Sequence, residues 1–134
     1  GEVLYRVQGS KPEAFFGSSL AALGDTNGDG LADFAAGAPA QKGDWGYVKI
    51  FSVESGIEIG NLIQGSASTR FGISVASAGD ANEDGLDDIM IGSPYEFHNG
   101  NKEAGTVRIV TTLGSPCPLT CRENYFLHRK QFLA

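Results

Sequence analysis

Asp25-Thr26-Asn27-Gly28-Asp29-Gly30-Leu31-Ala32-Asp33 and, 55 residues later, Asp80-Ala81-Asn82-Glu83-Asp84-Gly85-Leu86-Asp87-Asp88 carry oxygen-bearing side chains at positions 1, 3, 5 and 9, with glycine at 6 and leucine at 7. Hard cations such as Ca²⁺ take six to eight oxygens, and alternate side chains of a tightly curled loop can point inward together while position 7 offers its carbonyl. The glycine supplies the left-handed angle that the curl needs. One ion is therefore expected at Asp25, Asn27, Asp29, Leu31 (carbonyl) and Asp33, and a second at Asp80, Asn82, Asp84, Leu86 (carbonyl) and Asp88. Single strings of Asp, Asn and Gly are often only solvated turns. Two copies in one register set these apart.

The flanks decide between a helical and an extended setting. A helix-loop-helix calcium site needs a bidentate Glu at position 12, where this chain has Ala36 and Ile91. Asp-Phe-Ala-Ala-Gly and Asp-Ile-Met-Ile-Gly, which close the loops, are short apolar runs stopped by glycine and read as buried strands. Alternation and turn signals extend this pattern to eight short strands: Val3 to Gln8, Phe16 to Leu23, Phe34 to Gly37, Tyr47 to Phe51, Ile57 to Ile63, Phe71 to Ala78, Ile89 to Ile91 and Val107 to Thr111.

These elements repeat. Phe16-Gly17 recurs as Phe71-Gly72, and Gly37-Ala38-Pro39 as Gly92-Ser93-Pro94, at the spacing of the acidic loops. Val7-Gln8-Gly9-Ser10 is echoed by Ile63-Gln64-Gly65-Ser66, and Gly46-Tyr47-Val48-Lys49-Ile50 by Gly105-Thr106-Val107-Arg108-Ile109. Three motifs at fixed offsets resemble the FG-GAP repeat of integrin α-subunit β-propellers, over residues 1–113. The resemblance implies an all-β fold of two four-stranded antiparallel propeller-type blades, each with a calcium loop joining its first two strands, either belonging to a propeller or assembling into one. It divides the chain into 1–57, the first repeat with its preceding outer strand, 58–114, the second repeat, and 115–134, a tail outside the repeat. It further implies a non-enzymatic module for protein or glycan recognition in cell adhesion. Accessory repeats of a secreted hydrolase, such as a phospholipase, are the alternative.

Composition agrees with frequent tight turns: the 134 residues include 19 glycines and one methionine. The formal charge of −6 is local, since eight of the 16 acidic residues lie in the two loops and the remainder face ten bases. Nucleic acid is not an expected partner without a basic stripe, and no stretch reaches the length of a membrane span. Extracellular modules hold calcium at the millimolar level, which places the chain outside the cell or at its surface.

In an antiparallel meander successive turns alternate between the two ends. With the calcium hairpins at one end, the connections Pro39 to Gly46 and Pro94 to Gly105, and the turns Gly9 to Phe15 and Gly65 to Arg70, belong to the other. That second face carries Trp45, Tyr95, Phe97 and His98, candidates either for partner binding or for packing over the blade edge. Phe16 and Phe71 recur at the repeat period and read as packing residues between blades. Glu83 and Asp87 read as solvent-facing. His98 and His128 lie beside no nucleophile motif, so catalysis finds no support. Cys117 and Cys121 form either a disulfide or two free thiols, and residues 122–130 either a short helix or a substitute strand. With blade strands labelled A to D the chain runs D-A-B-C-D-A-B-C. A head-to-tail homo-oligomer, in which residues 2–8 complete the last blade of a neighbour, would close a ring.

Overall fold

The computed structural model describes residues 1–101 and 103–112. Among the described residues seven strands form two antiparallel sheets. The first contains β1 (Ser19–Leu23), β2 (Asp33–Ala38), β3 (Trp45–Ser52) and β4 (Glu58–Ala67) in sequential order; the second contains β5 (Ser74–Gly79), β6 (Asp88–Ser93) and β7 (Thr106–Val110), also sequential. Among the described residues no helix is long and apolar enough to cross a membrane. Two consecutive meanders whose second copy repeats the first are the propeller-blade architecture expected from the repeat. The described portion of the second blade has three strands, and the tail, with Cys117, Cys121 and His128, lies outside the described residues.

The sheets close on each other because the central strand of the first is made of small residues. β2 reads Asp-Phe-Ala-Ala-Gly-Ala, and Ala35, Ala36 and Ala38 are buried. At Gly37 the second sheet's backbone comes so near that a Cβ would lie 2.1 Å from the carbonyl oxygen of Gly72. Between the sheets Leu23, Ala35, Val48 and Ile50 from one side meet Phe71, Ile89 and Ile91 from the other. The other face of β3 is covered as well: Tyr47 stacks with Phe16 at 6.1 Å, and Phe51 meets Phe16 edge-on at 6.0 Å. Phe71, completely buried, is the packing residue that its periodicity predicts, and Phe16 fills the equivalent place in the first blade on a half-buried site.

The two short motifs of each repeat are ends of one hydrogen bond. Gly17 N–H donates to Gly37 O at 3.0 Å, and Gly72 N–H to Gly92 O at 3.1 Å. Both donor glycines have positive φ, +91° and +85°. The Phe-Gly residues are therefore a turn leading into β1 and β5, and not the first residues of those strands as the apolar pattern suggests.

Val3 to Gln8 is not a strand. A ladder needs a hydrogen-bonded neighbour, and no strand pairs with this segment among the described residues. The segment still holds an outer-strand position: a Cβ at Gly9 would meet Phe16 Cβ at 2.6 Å, as one at Gly65 in β4 would meet Phe71 Cβ at 2.2 Å. Ser10 N–H donates to the Tyr47 hydroxyl at 3.1 Å, and the Tyr5 hydroxyl is directed at the Ser52 and Val53 carbonyls.

Replacing Phe71 with Ala removes a fully enclosed ring from the seam between blades. Truncations of this kind cost about 3–5 kcal/mol. Urea unfolding of Phe71→Ala should show a loss of that size; a loss near zero would mean the sheets do not depend on this ring.

Candidate metal centre

Each acidic loop joins the first two strands of its blade, and its ninth residue is the first residue of the central strand. Asp33 opens β2 and Asp88 opens β6. The chain wraps around the carboxylate at position 1. Asp25 Oδ1 accepts from the N–H groups of Gly28 (2.6 Å), Asn27 and Asp29 (both 3.2 Å), and Oδ2 accepts from Gly30 N–H at 2.8 Å. In the second loop Asp80 accepts from Asp84 N–H at 2.9 Å and Gly85 N–H at 2.8 Å. The third and fifth positions are paired alike, with Asn27 Nδ2 donating to Asp29 Oδ2 at 3.1 Å and Asn82 Nδ2 to Asp84 Oδ2 at 3.0 Å. The repeat thus extends to side-chain geometry.

Position 9 carries the decisive feature. Asp33 Oδ2 accepts from Thr26 N–H at 2.8 Å and from the Thr26 hydroxyl at 2.6 Å, and Asp88 Oδ2 from Ala81 N–H at 2.9 Å. The other oxygen, Oδ1, has no hydrogen-bond partner among the described residues in either aspartate, although the two residues are 0% and 1% exposed. A buried polar atom without a partner costs about 1–3 kcal/mol, and more when charged. The same orphan oxygen in both loops, beside a donor set of carboxylates and an amide, fits a hard oxygen-seeking cation. Among the described residues the acidic side chains do not gather three to a point; they are held on backbone N–H groups, from which a cation would draw them.

The two loops differ in electrostatics. Partial burial acts to raise the Asp25 carboxyl, but the N–H groups of Gly30, Gly28, Asn27 and Asp29 outweigh it and hold the group below the ordinary carboxylate range. Asp88 moves the other way. Burial pushes it up, the N–H groups of Ala81 and Asn82 oppose this, and the charges of Asp84 and Asp80 add to the rise. Carboxylates that repel one another across a loop are also those that a divalent ion relieves most.

Asp87 does not face solvent. Its Oδ2 accepts from Gly24 N–H at 2.8 Å, in the other blade. The signal that could have revealed it is a departure from the repeat: position 8 is alanine in the first loop and aspartate in the second. Spacing does not single out Thr26 or Thr112 either, yet both hydrogen-bond within this end of the molecule.

Strand register puts the loops at 24–32 and 80–87 at one end, and those at 39–44, 68–73 and 94–105 at the other. Of the four aromatic and histidine candidates there, the structure brings two together. Tyr95 and Phe97, 47% and 61% exposed, line a cleft of about 430 Å³ with Lys42, Ser68, Arg70 and Glu103. Its walls are joined by Gly43 N–H to Ser68 Oγ and Ser68 N–H to Asp44 O, both 2.8 Å, and by Tyr95 N–H to Thr69 O at 3.3 Å. Trp45 takes the packing role instead. It lies half-buried 6.2 Å from Tyr47, with the Lys11 ammonium 3.8 Å above its ring. His98 is exposed and exchanges backbone hydrogen bonds with Asn101.

The FG-GAP repeat profile matches residues 16–51 and 71–110, the two blades with their acidic loops. The chain belongs to the FG-GAP repeat family. It is 38% identical over 98 residues to integrin alpha-3 of Cricetulus griseus, covering 67% of this chain and 9% of that protein. It is 37% identical over 97 residues to integrin alpha-8 of Gallus gallus, covering 69% and 9%. With integrin alpha-4 of Xenopus laevis the identity is 36% over 101 residues, covering 70% and 10%. The chain thus spans about a tenth of the length of these curated relatives.

Thr26→Val should expose the cost of the buried carboxylate. It keeps the volume but removes the hydroxyl that Asp33 Oδ2 accepts, and a lost buried bond of this kind costs about 1–3 kcal/mol. Urea unfolding in calcium-free buffer measures it, and unchanged stability would mean that Asp33 is satisfied without the hydroxyl.

Proposed function

We propose that this chain is a calcium-stabilised, integrin-like repeat pair that acts in a cell-adhesion module at the cell surface, with Ca²⁺ in a structural role and the opposite loop end receiving a protein ligand. The observation that carries the metal reading is the partnerless Oδ1 of Asp33 and of Asp88, buried at the same position of both loops. Asp25, Asn27, Asp29, the Leu31 carbonyl and Asp33 would hold one ion, and Asp80, Asn82, Asp84, the Leu86 carbonyl and Asp88 the other. Each ion would bind the hairpin to the first residue of the central strand, which makes ion occupancy a contribution to folding free energy.

The non-enzymatic reading draws on the integrin alpha relatives, and so does the choice of a protein ligand over a glycan. The cleft supports it with an exposed aromatic pair beside two cations. Lys11, Lys49 and Arg108 are each paired with an acid, whereas Lys42 and Arg70 face the cleft. Aromatic and arginine side chains are the usual anchors of protein interfaces.

Calcium removal should lower the melting temperature, because each saturated site adds about 2.7 kcal/mol at a hundredfold excess over its dissociation constant. Calorimetric melts in Ca²⁺ and in chelator should differ by several degrees, with Asp29→Ala or Asp84→Ala losing some of the difference. Identical melts would overturn the metal reading. An array of purified extracellular proteins and glycans separates the ligand classes. Signals on proteins that vanish in Tyr95→Ala/Phe97→Ala support the cleft. Signals confined to glycans, or indifferent to the double substitution, refute it.

A further inference from the structure

We propose that Asp87 couples the two metal loops, so that filling the second site raises the affinity of the first. The inference rests on the metal reading above and adds to it a residue that belongs to neither ligand set. Asp87 stands between Leu86 and Asp88, at the seventh and ninth positions of the second loop. Across the seam its Oδ2 accepts from Gly24 N–H at 2.8 Å, and its own N–H donates to the Asp25 carbonyl at 2.9 Å. Gly24 and Asp25 are the entry to the first loop, and Asp25 is its first ligand.

Three further observations mark this as a built contact. A Cβ at Gly24 would lie 2.4 Å from Asp87 Oδ2, so only glycine leaves room for the carboxylate. The Thr112 hydroxyl bridges the same seam, 2.7 Å from the Asp87 carbonyl and 3.2 Å from that of Thr26. Position 8 of the first loop is Ala32, which has no polar side chain to offer a neighbour. The tie therefore runs in one direction, from the second loop to the first.

The coupling follows from ordering. Binding at the first site requires Asp25 to turn from four backbone N–H groups toward an ion, and the loop entry must be held while it does so. An ion at the second site fixes Leu86 and Asp88, hence Asp87 between them, hence Gly24 and the Asp25 carbonyl. The first ion then meets a loop whose entry is already ordered and loses less conformational entropy on binding. Linkage makes the effect reciprocal.

The test is calorimetric titration of Ca²⁺ into chelator-stripped wild type, Asp84→Ala, Asp87→Ala, Asp87→Asn and the Asp84→Ala/Asp87→Ala double variant. Disabling the second site with Asp84→Ala should weaken the first site about fivefold or more, the lower end of ordinary coupling. Asp87→Ala alone should weaken the first site similarly, and the double variant should be no worse than either single one. Asp87→Asn keeps an acceptor without the charge and should bind as wild type does. A first site indifferent to Asp84→Ala refutes the coupling and leaves the metal reading standing; this comparison holds even if Asp87→Ala does not fold. Equal weakening by Asn and Ala assigns the effect to charge and refutes the hydrogen-bonded tie. No binding heat in wild type, together with melts indifferent to Ca²⁺, overturns the metal reading and the coupling with it.

Discussion

Two buried carboxylates, Asp33 and Asp88, govern this structure, because each is at once the last residue of an acidic loop and the first of a central strand. One oxygen of each is tied back to the second residue of its loop, and this closes the curl. The other is buried without a hydrogen-bond partner among the described residues. Burying a carboxylate is tolerable only when the charge is paired, hydrogen-bonded or coordinated. The loop meets half of that requirement itself, with backbone N–H groups and, at Asp33, the Thr26 hydroxyl; the other half is what the proposed cation would supply. Whatever satisfies Oδ1 acts on the strand directly, since the next residues, Phe34 and Ala35 in one blade and Ile89 in the other, enter the packing.

The blade seam explains why the repeat retains such short motifs. The Phe-Gly turn and the Gly-Ala-Pro or Gly-Ser-Pro bend are joined by one hydrogen bond within a blade, while in the second blade the same turn carries Phe71, the ring that packs against the first blade. Gly37 and Gly46 receive the Gly72 and Phe71 carbonyls, each 2.1 Å from where a Cβ would be. One turn thus serves local closure and packing between repeats, which is why stacked units of this kind need neighbours to be stable.

Much of this was legible in the sequence because periodicity encodes it. The loops, the seven strands, the burial of Phe71 and the placement of loops at opposite ends all follow from spacing. What spacing does not encode is a partner far away in the chain. The alternation of Val3 to Gln8 specifies two faces but cannot say whether a sheet lies alongside. Sequence leaves Trp45 open between partner binding and packing over the blade edge, and what decides it is Lys11, 34 residues earlier, lying over its ring. Asp87 reads as solvated because position 8 does point away from the loop's own centre. Its partner, Gly24, is 63 residues distant and has no side chain to announce the contact.

The two ends of the blades answer different physical demands, and the strands between them let each vary alone. At the acidic end, backbone amides and carboxylates are tied to one another within each loop, and Asp87 joins the second loop to the entry of the first across the seam. At the other end the walls of the cleft are joined by three backbone-donated hydrogen bonds, two of them to backbone carbonyls and therefore insensitive to side-chain identity at the acceptor. The side chains of Tyr95, Phe97, Lys42 and Arg70 line the cleft and take no part in those three bonds. A fold arranged in this way can vary the side chains of one loop end while the strands stay fixed from the other, because β2 and β6 begin at Asp33 and Asp88, at the end of the blades away from the cleft.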